Sequence, residues 1–297
     1  MAIVLGPNQY GKAETRVVRI YRDGPRHEIH DVNVSTSLRG DFAEAHVTGD
    51  QAKVLPTDTQ KNTCFAFAKQ KGIGEIEDYA LDLGRHFVDD IDSVDGARIE
   101  VDEYAWDRVI VGGQEHDHAW VRRGGEVRTT IVTVEVDSTS VVSGIRDLTL
   151  LKSTGSEFRG YLKDEYTTLT ETHDRVLATS LTARWRYAAI DLPWGRVYED
   201  VRRILVERFA QVHSLALQQT LWEMGKGVLE AHQEIVEIKL SAPNKHHFLV
   251  DLEPFGLSNE GEVFIAADRP YGLIEAAVAR DDAPDAGDAW LAVPAFA

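Results

Sequence analysis

The segment Pro56-Thr57-Asp58-Thr59-Gln60 brings a hydroxyl, a carboxylate and a helix-start pattern together. Thr57 with Gln60 fits a capping box, and Asp58 falls in the first turn, where a carboxylate is favoured. Taken alone this is a well-capped helix. Taken as chemistry, the exposed N–H groups and the Thr57 hydroxyl form an anion and proton-relay site. A second segment, Asp164-Glu165-Tyr166-Thr167-Thr168-Leu169, runs on to Asp174-Arg175. Arg175 opens a strand, and its forked guanidinium suits a planar anion, although a lone arginine at a strand end ordinarily makes a surface ion pair. The third, Pro243-Asn244-Lys245-His246-His247-Phe248, interrupts an alternating strand with polar groups, and such a break in local consistency points to a site. Asn244 and His246 project from one face, whereas adjacent His246 and His247 face opposite ways.

Other chemistry has less support. His116-Asp117-His118 could turn two imidazoles to one side of a strand, but it sits beside Gly112-Gly113 in what reads as a polar loop, and no third metal ligand is evident. Cys64, the single cysteine, lies in the apolar run Cys64-Phe65-Ala66-Phe67-Ala68 and reads as a buried inert thiol. There is no G-x-G-x-x-G, no phosphate-binding G-x-x-x-x-G-K-[ST] and no G-x-S-x-G elbow. Gly225-Lys226-Gly227 falls inside a helical pattern and reads as a packing feature.

The elements that must position these residues occur twice in the same order. Strands over about 14–22 and 28–39 flank the turn Arg22-Asp23-Gly24-Pro25-Arg26; helices follow over about 57–71 and 75–91. In the second helix Ile76, Ala80, Leu83 and Phe87 mark one buried face. Two strands come next, near 97–110 and 118–136, the latter broken at Gly124-Gly125. The second half repeats the order with strands over about 138–153 and 175–188, helices over 194–212 and 214–233, and strands over 235–252 and 263–280. The Asp/Ala/Pro/Gly-rich run at 281–288 reads as a mobile acidic tail, with Trp290 and Leu291 able to dock. The chain is thus expected to be α+β, with two ββααββ units of antiparallel strands covering residues 1–137 and 138–297. Open sheets leave edges that need partners, which favours self-association into a closed oligomeric barrel.

Composition narrows the function. With 32 Lys+Arg against 49 Asp+Glu the formal charge is −17, which argues against sequence-independent nucleic-acid binding and leaves any anion to be held by a few specific cations and helix ends. No apolar stretch is long enough to span a membrane, and the N-terminus lacks the pattern of a secretory signal. One cysteine suits a reducing cytoplasm.

Four strings resemble the urate oxidase (uricase) family: Tyr10-Gly11-Lys12; Thr57-Asp58 with Lys61-Asn62-Thr63; Asp164 to Leu169; and Pro243-Asn244-Lys245-His246. They fall in order along both halves and cover nearly the whole chain. The resemblance implies the tunnelling fold, assembled as a homotetrameric barrel with a central tunnel and with active sites at subunit interfaces. It implies a substrate clamp of Arg175 and Gln218, Phe158 stacked on the flat ring, and ring edges bound by the backbone N–H groups of Leu217 and Asp58. Valine is common in the family where Leu217 stands, and a backbone contact should tolerate the change. Lys12 and Thr57 would handle protons, with His246 extending the relay, and Asn244 with Thr57 would bound the site for dioxygen and later water.

The implied reaction is oxidation of urate by dioxygen and water to 5-hydroxyisourate and hydrogen peroxide without metal or organic cofactor, because urate itself can pass electrons to dioxygen. Peroxisomal members end in a Ser-Lys-Leu-type signal, whereas this chain ends Pro294-Ala295-Phe296-Ala297, so a bacterial-type cytoplasmic enzyme is expected. Two alternatives stand beside it: a catalytically silent purine-binding protein of the same fold, and a zinc-dependent purine or pterin hydrolase using His116 and His118.

Overall fold

The computed structural model describes residues 1–291; the Pro294–Ala297 terminus lies outside the described residues. The chain forms two compact units. The first comprises residues 1–144, 186–195 and the described residues from Pro284 on; the second comprises 145–185 and 196–283. Compactness therefore divides the chain differently from the expected boundary near Asp137, because segments distant in sequence return to the first unit.

In the first unit, β1 (Tyr10–Tyr21) pairs antiparallel with β2 (Glu28–Gly40). Helices α1 (Ala43–Val47), α2 (Thr57–Gln70) and α3 (Ile76–Asp89) follow. Strand β3 (Val94–Glu103) pairs antiparallel with β2. Helix α3 buries Ile76, Ala80, Leu83 and Phe87, the spacing the sequence showed, together with Tyr79, and packs on the sheet. Burying Ile76, Leu83 and Phe87 stabilises the fold by roughly 1.5–3 kcal/mol apiece through lost apolar exposure. Gly84 permits that close approach, since a Cβ there would meet Val134 Cγ2 at 2.7 Å.

The expected strands at 97–110 and 118–136 are corrected. β3 stops at Glu103, and β4 (Trp106–Val111) with β5 (Gln114–Arg122) forms a separate two-stranded sheet turned at Gly112-Gly113. Both glycines have positive φ, as a tight hairpin turn demands. β6 (Val127–Glu135) then pairs with β3, and β7 (Thr139–Lys152) begins beside β6 and ends in the second unit.

The chain continues with β8 (Leu177–Tyr187), whose last two residues belong to the first unit, and α4 (Trp194–Gln211), whose first two do as well; α5 (Leu217–Ala231), β9 (Ile235–Leu249) and β10 (Phe264–Ala279) lie in the second unit. β9 and β10 are antiparallel and carry α5 on them. Gly225 lets α5 close on the sheet, as expected of a packing glycine, because a Cβ there would lie 2.6 Å from Val278 Cγ2.

The mobile tail is also corrected. A 3₁₀ turn at Gly287–Trp290 buries Ala289 against Ile131 and Val142, with Trp290 packed alongside. Buried Arg98 donates to the carbonyls of Asp288 at 3.0 Å and Ala289 at 3.3 Å, and Arg186 donates to Pro284 O at 2.8 Å. The segment satisfies cations of the first unit, so its acidic composition does not leave it free. No helix among the described residues is long and apolar enough to cross a membrane.

Candidate active site

In the first unit, the site residues are carried by an irregular strand and a helix start. The β1–β2 register slips between Lys12 and Thr15, and Glu14 sits at φ 57° with its N–H donating to Ser35 Oγ at 3.0 Å. A bulge of this kind re-aims the neighbouring side chains. Gly11 allows β1 to lie tightly on β2: a Cβ there would stand 1.8 Å from Thr36 O. The Lys12 N–H donates to Thr36 Oγ1 at 3.3 Å, and that hydroxyl donates to Gln60 Oε1 at 2.7 Å. Gln60 is on α2, three residues after Thr57.

The capping box is corrected here. Pro56 occupies the N-cap without a side-chain bond, Thr57 is the first helical residue, and Gln60 turns inward to Thr36. Proline's missing N–H suits that position, and the Thr57 hydroxyl makes no hydrogen bond among the described residues. Asp58 accepts from Lys61, and from Asn62 Nδ2 at 3.0 Å. Lys61 holds the Asp58 carboxyl below the usual carboxylate range, and the charge of Lys12 lowers it further. Lys12 thus extends its charge to the start of α2.

In the second unit, residues 153–176 fold back on the segment before α5. Ser156 and Ser214 form a β-bridge; Ser214 N–H donates to Gly155 O at 2.9 Å and Glu157 N–H to Ser214 O at 2.7 Å. Phe158 exchanges backbone bonds with Thr172 at 2.9 and 3.0 Å. Arg175 Nε donates to Ser156 Oγ at 3.3 Å, and its guanidinium carbon lies 5.2 Å from the Phe158 ring centre. Burial alone pushes the Arg175 pKa below its ordinary value, and no carboxylate among the described residues pairs with it. A partly desolvated cation without a counter-ion is built to receive an anion.

Leu217 and Gln218 are the first two residues of α5, where backbone N–H groups have no intrahelical acceptor. Ala216 at the N-cap supplies no side-chain bond and the first turn carries no acid, so this end keeps its positive character. The Gln218 side chain is exposed. The Ser156–Ser214 bridge therefore ties Phe158 and Arg175 to the start of α5.

Asn244 and His246 lie on β9 opposite a register shift in β10: Asn244 faces Gly272, whereas His246 faces Ala267. The His246 ring stacks on Phe248 at 5.7 Å. No hydrogen bond or ring contact joins either residue to Phe158, Arg175 or Gln218 among the described residues. His116 and His118 stand on β5 instead of in a loop, with rings 4.5 Å apart edge to face. No group of three His, Cys, Asp or Glu side chains among the described residues could hold a metal ion. Cys64 is buried, its thiol pushed up to about 12 by desolvation.

Several neighbours carried no signal in the sequence. Tyr161 stacks on Phe158 with ring centres 4.8 Å apart, and Glu157 pairs with Arg159 and, at 2.7 Å, with His213. Only the Phe-x-x-Tyr spacing could have hinted at the first. The Glu157–His213 pair spans 56 residues, beyond any local pattern.

A family model described as Uricase matches residues 8–133 and 141–275. The chain is 52% identical over 294 residues to the uricase of Arthrobacter globiformis, covering 99% of this chain and 96% of the relative. It is 37% identical to the uricase of Dictyostelium discoideum over 92% of this chain and 96% of that one. The crystal structure of the Arthrobacter globiformis uricase superposes with a TM-score of 0.94, covering 98% of this chain and 99% of that chain. A uricase structure from Bacillus fastidious gives 0.82 at 27% identity, covering 94% and 95%. Fold and matches define an α+β oxidoreductase with antiparallel sheet. The chain belongs to the uricase family.

Proposed function

We propose that this chain oxidises urate with dioxygen and water to 5-hydroxyisourate and hydrogen peroxide, with no metal or organic cofactor. The observation that carries this is Arg175: partly buried, without a carboxylate partner among the described residues, and over the ring of Phe158. A flat anion supplies both the missing charge and the matching face. Arg175 and Gln218 address the carbonyl and N–H edges of the purine, Phe158 stacks on it, and the N–H groups of Leu217 and Asp58 bind its edges. Lys12 and Thr57 move the proton, His246 extends the relay, and Asn244 with Thr57 bounds the place of dioxygen and then water. Urate loses two electrons, dioxygen becomes peroxide, and the oxygen of water bonds to the oxidised ring. The protein's contribution is to hold the anion, set its protonation and place the oxidant.

The assembly we infer is a homotetrameric tunnelling-fold barrel of two tandem units, 1–137 and 138–297, with each site shared between two chains. The element orders β1-β2-α2-α3-β3-β6 and β7-β8-α4-α5-β9-β10 support the repeat. Exposed apolar side chains on β9 and β10, among them Phe248, Ile265 and Leu273, support a covering partner. The single, buried cysteine supports a reducing cytoplasm. The test is direct: purified protein is mixed with urate in air, with and without a chelator, and urate absorbance and peroxide are followed together. Loss of urate with an equal yield of peroxide is expected; urate binding without peroxide would leave only a binding protein.

A further inference from the structure

We propose that Thr36 and Gln60 are positioning residues that hold Lys12 and Thr57 in working register. This rests on the proton-handling role proposed for Lys12 and Thr57. Thr36 has one hydroxyl proton, which it gives to Gln60 Oε1 at 2.7 Å, while its oxygen accepts the Lys12 N–H at 3.3 Å. The hydroxyl therefore links the β1 bulge that carries Lys12 to the first turn of the helix that begins with Thr57. Both side chains are shut off from solvent, Thr36 at 3% and Gln60 at 0% exposure. Stability alone does not call for such a pair, because an apolar pair of the same shape at a helix–sheet contact would be nearly neutral. A directional bond offers what apolar packing lacks: it sets the distance between strand and helix. Gly11, next to Lys12, keeps the strand close enough for the bond, since any Cβ there would overlap Thr36 O. Small displacements of catalytic groups cost rate steeply.

The test compares Thr36→Val, which deletes both bonds at constant shape, with Thr36→Ser, which keeps the hydroxyl. Gln60→Met reads the same link from the helix side should the valine variant fold poorly. Thermal melts fix the folded fraction, and kcat, KM, the pH profile of kcat and the affinity for an unreactive urate analogue are measured on folded protein. Thr36→Val and Gln60→Met are expected to lower kcat about tenfold and displace its pH profile, with KM and analogue affinity nearly unchanged. Thr36→Ser is expected to recover most of the rate. Unchanged kcat and pH profile in folded Thr36→Val or Gln60→Met, or a serine variant as slow as the valine, would overturn the proposal. Lys12→Met measured alongside separates the two levels. If it turns over normally, the relay itself is wrong; if it is inactive while Thr36→Val and Gln60→Met are normal, only the positioning role falls.

Discussion

Arg175 lies over Phe158, its guanidinium carbon 5.2 Å from the ring centre, with its Nε turned to Ser156 Oγ at 3.3 Å. That arrangement leaves the fork's remaining N–H groups available to a ligand, and the cation desolvated without internal compensation. Arg175→Ala should weaken binding of urate or an unreactive analogue by about 2 kcal/mol, roughly 30-fold in Kd. Arg175→Lys should recover little of it, since an ammonium cannot reproduce the planar fork. Titration calorimetry with the analogue measures both; equal affinity in all three proteins would remove Arg175 from the clamp.

Lys12 and Thr57 should behave in the opposite way. Lys12→Met and Thr57→Ala are expected to lower kcat by about 10²–10⁴ while the analogue still binds, the pattern of lost proton transfer. A Lys12→Met enzyme with normal turnover would show that the relay has been assigned to the wrong residues.

Activity should also survive prolonged dialysis against a strong chelator, because the electrons come from urate itself. A rate that collapsed and returned only with zinc, copper or iron would rule out the cofactor-free reaction.

The ion pairs beside Phe158 predict a pH dependence. Hydrogen bonds from Arg159 and then His213 hold the Glu157 carboxyl at about 2, against 4.5 ordinarily. A depressed folded-state value means that the unfolded chain takes up the proton first. The stabilisation is therefore whole above about 4.5 and is lost as the pH falls through about 2. Glu157→Gln should flatten the fall of Tm with acid across that window; superimposable Tm–pH curves would show that the pair contributes nothing to acid stability.

Shared sites predict complementation. Thr57→Ala and Arg175→Ala chains, each nearly inactive, should regain partial activity when unfolded together and refolded as mixed oligomers. Some sites would then combine an intact Thr57 from one chain with an intact Arg175 from the other. No recovery in oligomers proven to be mixed would place each site within one chain.

How much of this was legible beforehand depends on how far apart the interacting residues lie. Ile76, Ala80, Leu83 and Phe87 announced α3 because helical spacing is a local property, and the buried face is the one they mark. Tyr10-Gly11-Lys12 and Pro243-Asn244-Lys245-His246 were recognisable as short strings for the same reason. The β4–β5 hairpin was not, because an alternating apolar run does not say where a strand leaves one sheet for another. Composition misled at 281–288, where the deciding partner, Arg98, is 190 residues from the Asp288 carbonyl it binds.

The same division holds within the site. Residue types and neighbours in the chain determined that a hydroxyl, a lysine, a guanidinium and an aromatic ring were on hand, and that Thr57 would fall at a helix start, whereas the start of α5 at Leu217, three residues beyond the expected 214, was set by the structure. Tertiary structure alone decided that Gln60 turns from the expected cap to Thr36, and that Ser156 meets Ser214 to tie Arg175 to the start of α5. Periodicity is written into consecutive residues. A hydrogen bond across 24 residues, as between Thr36 and Gln60, exists only once strand register and helix placement have been chosen by the packing of everything between them.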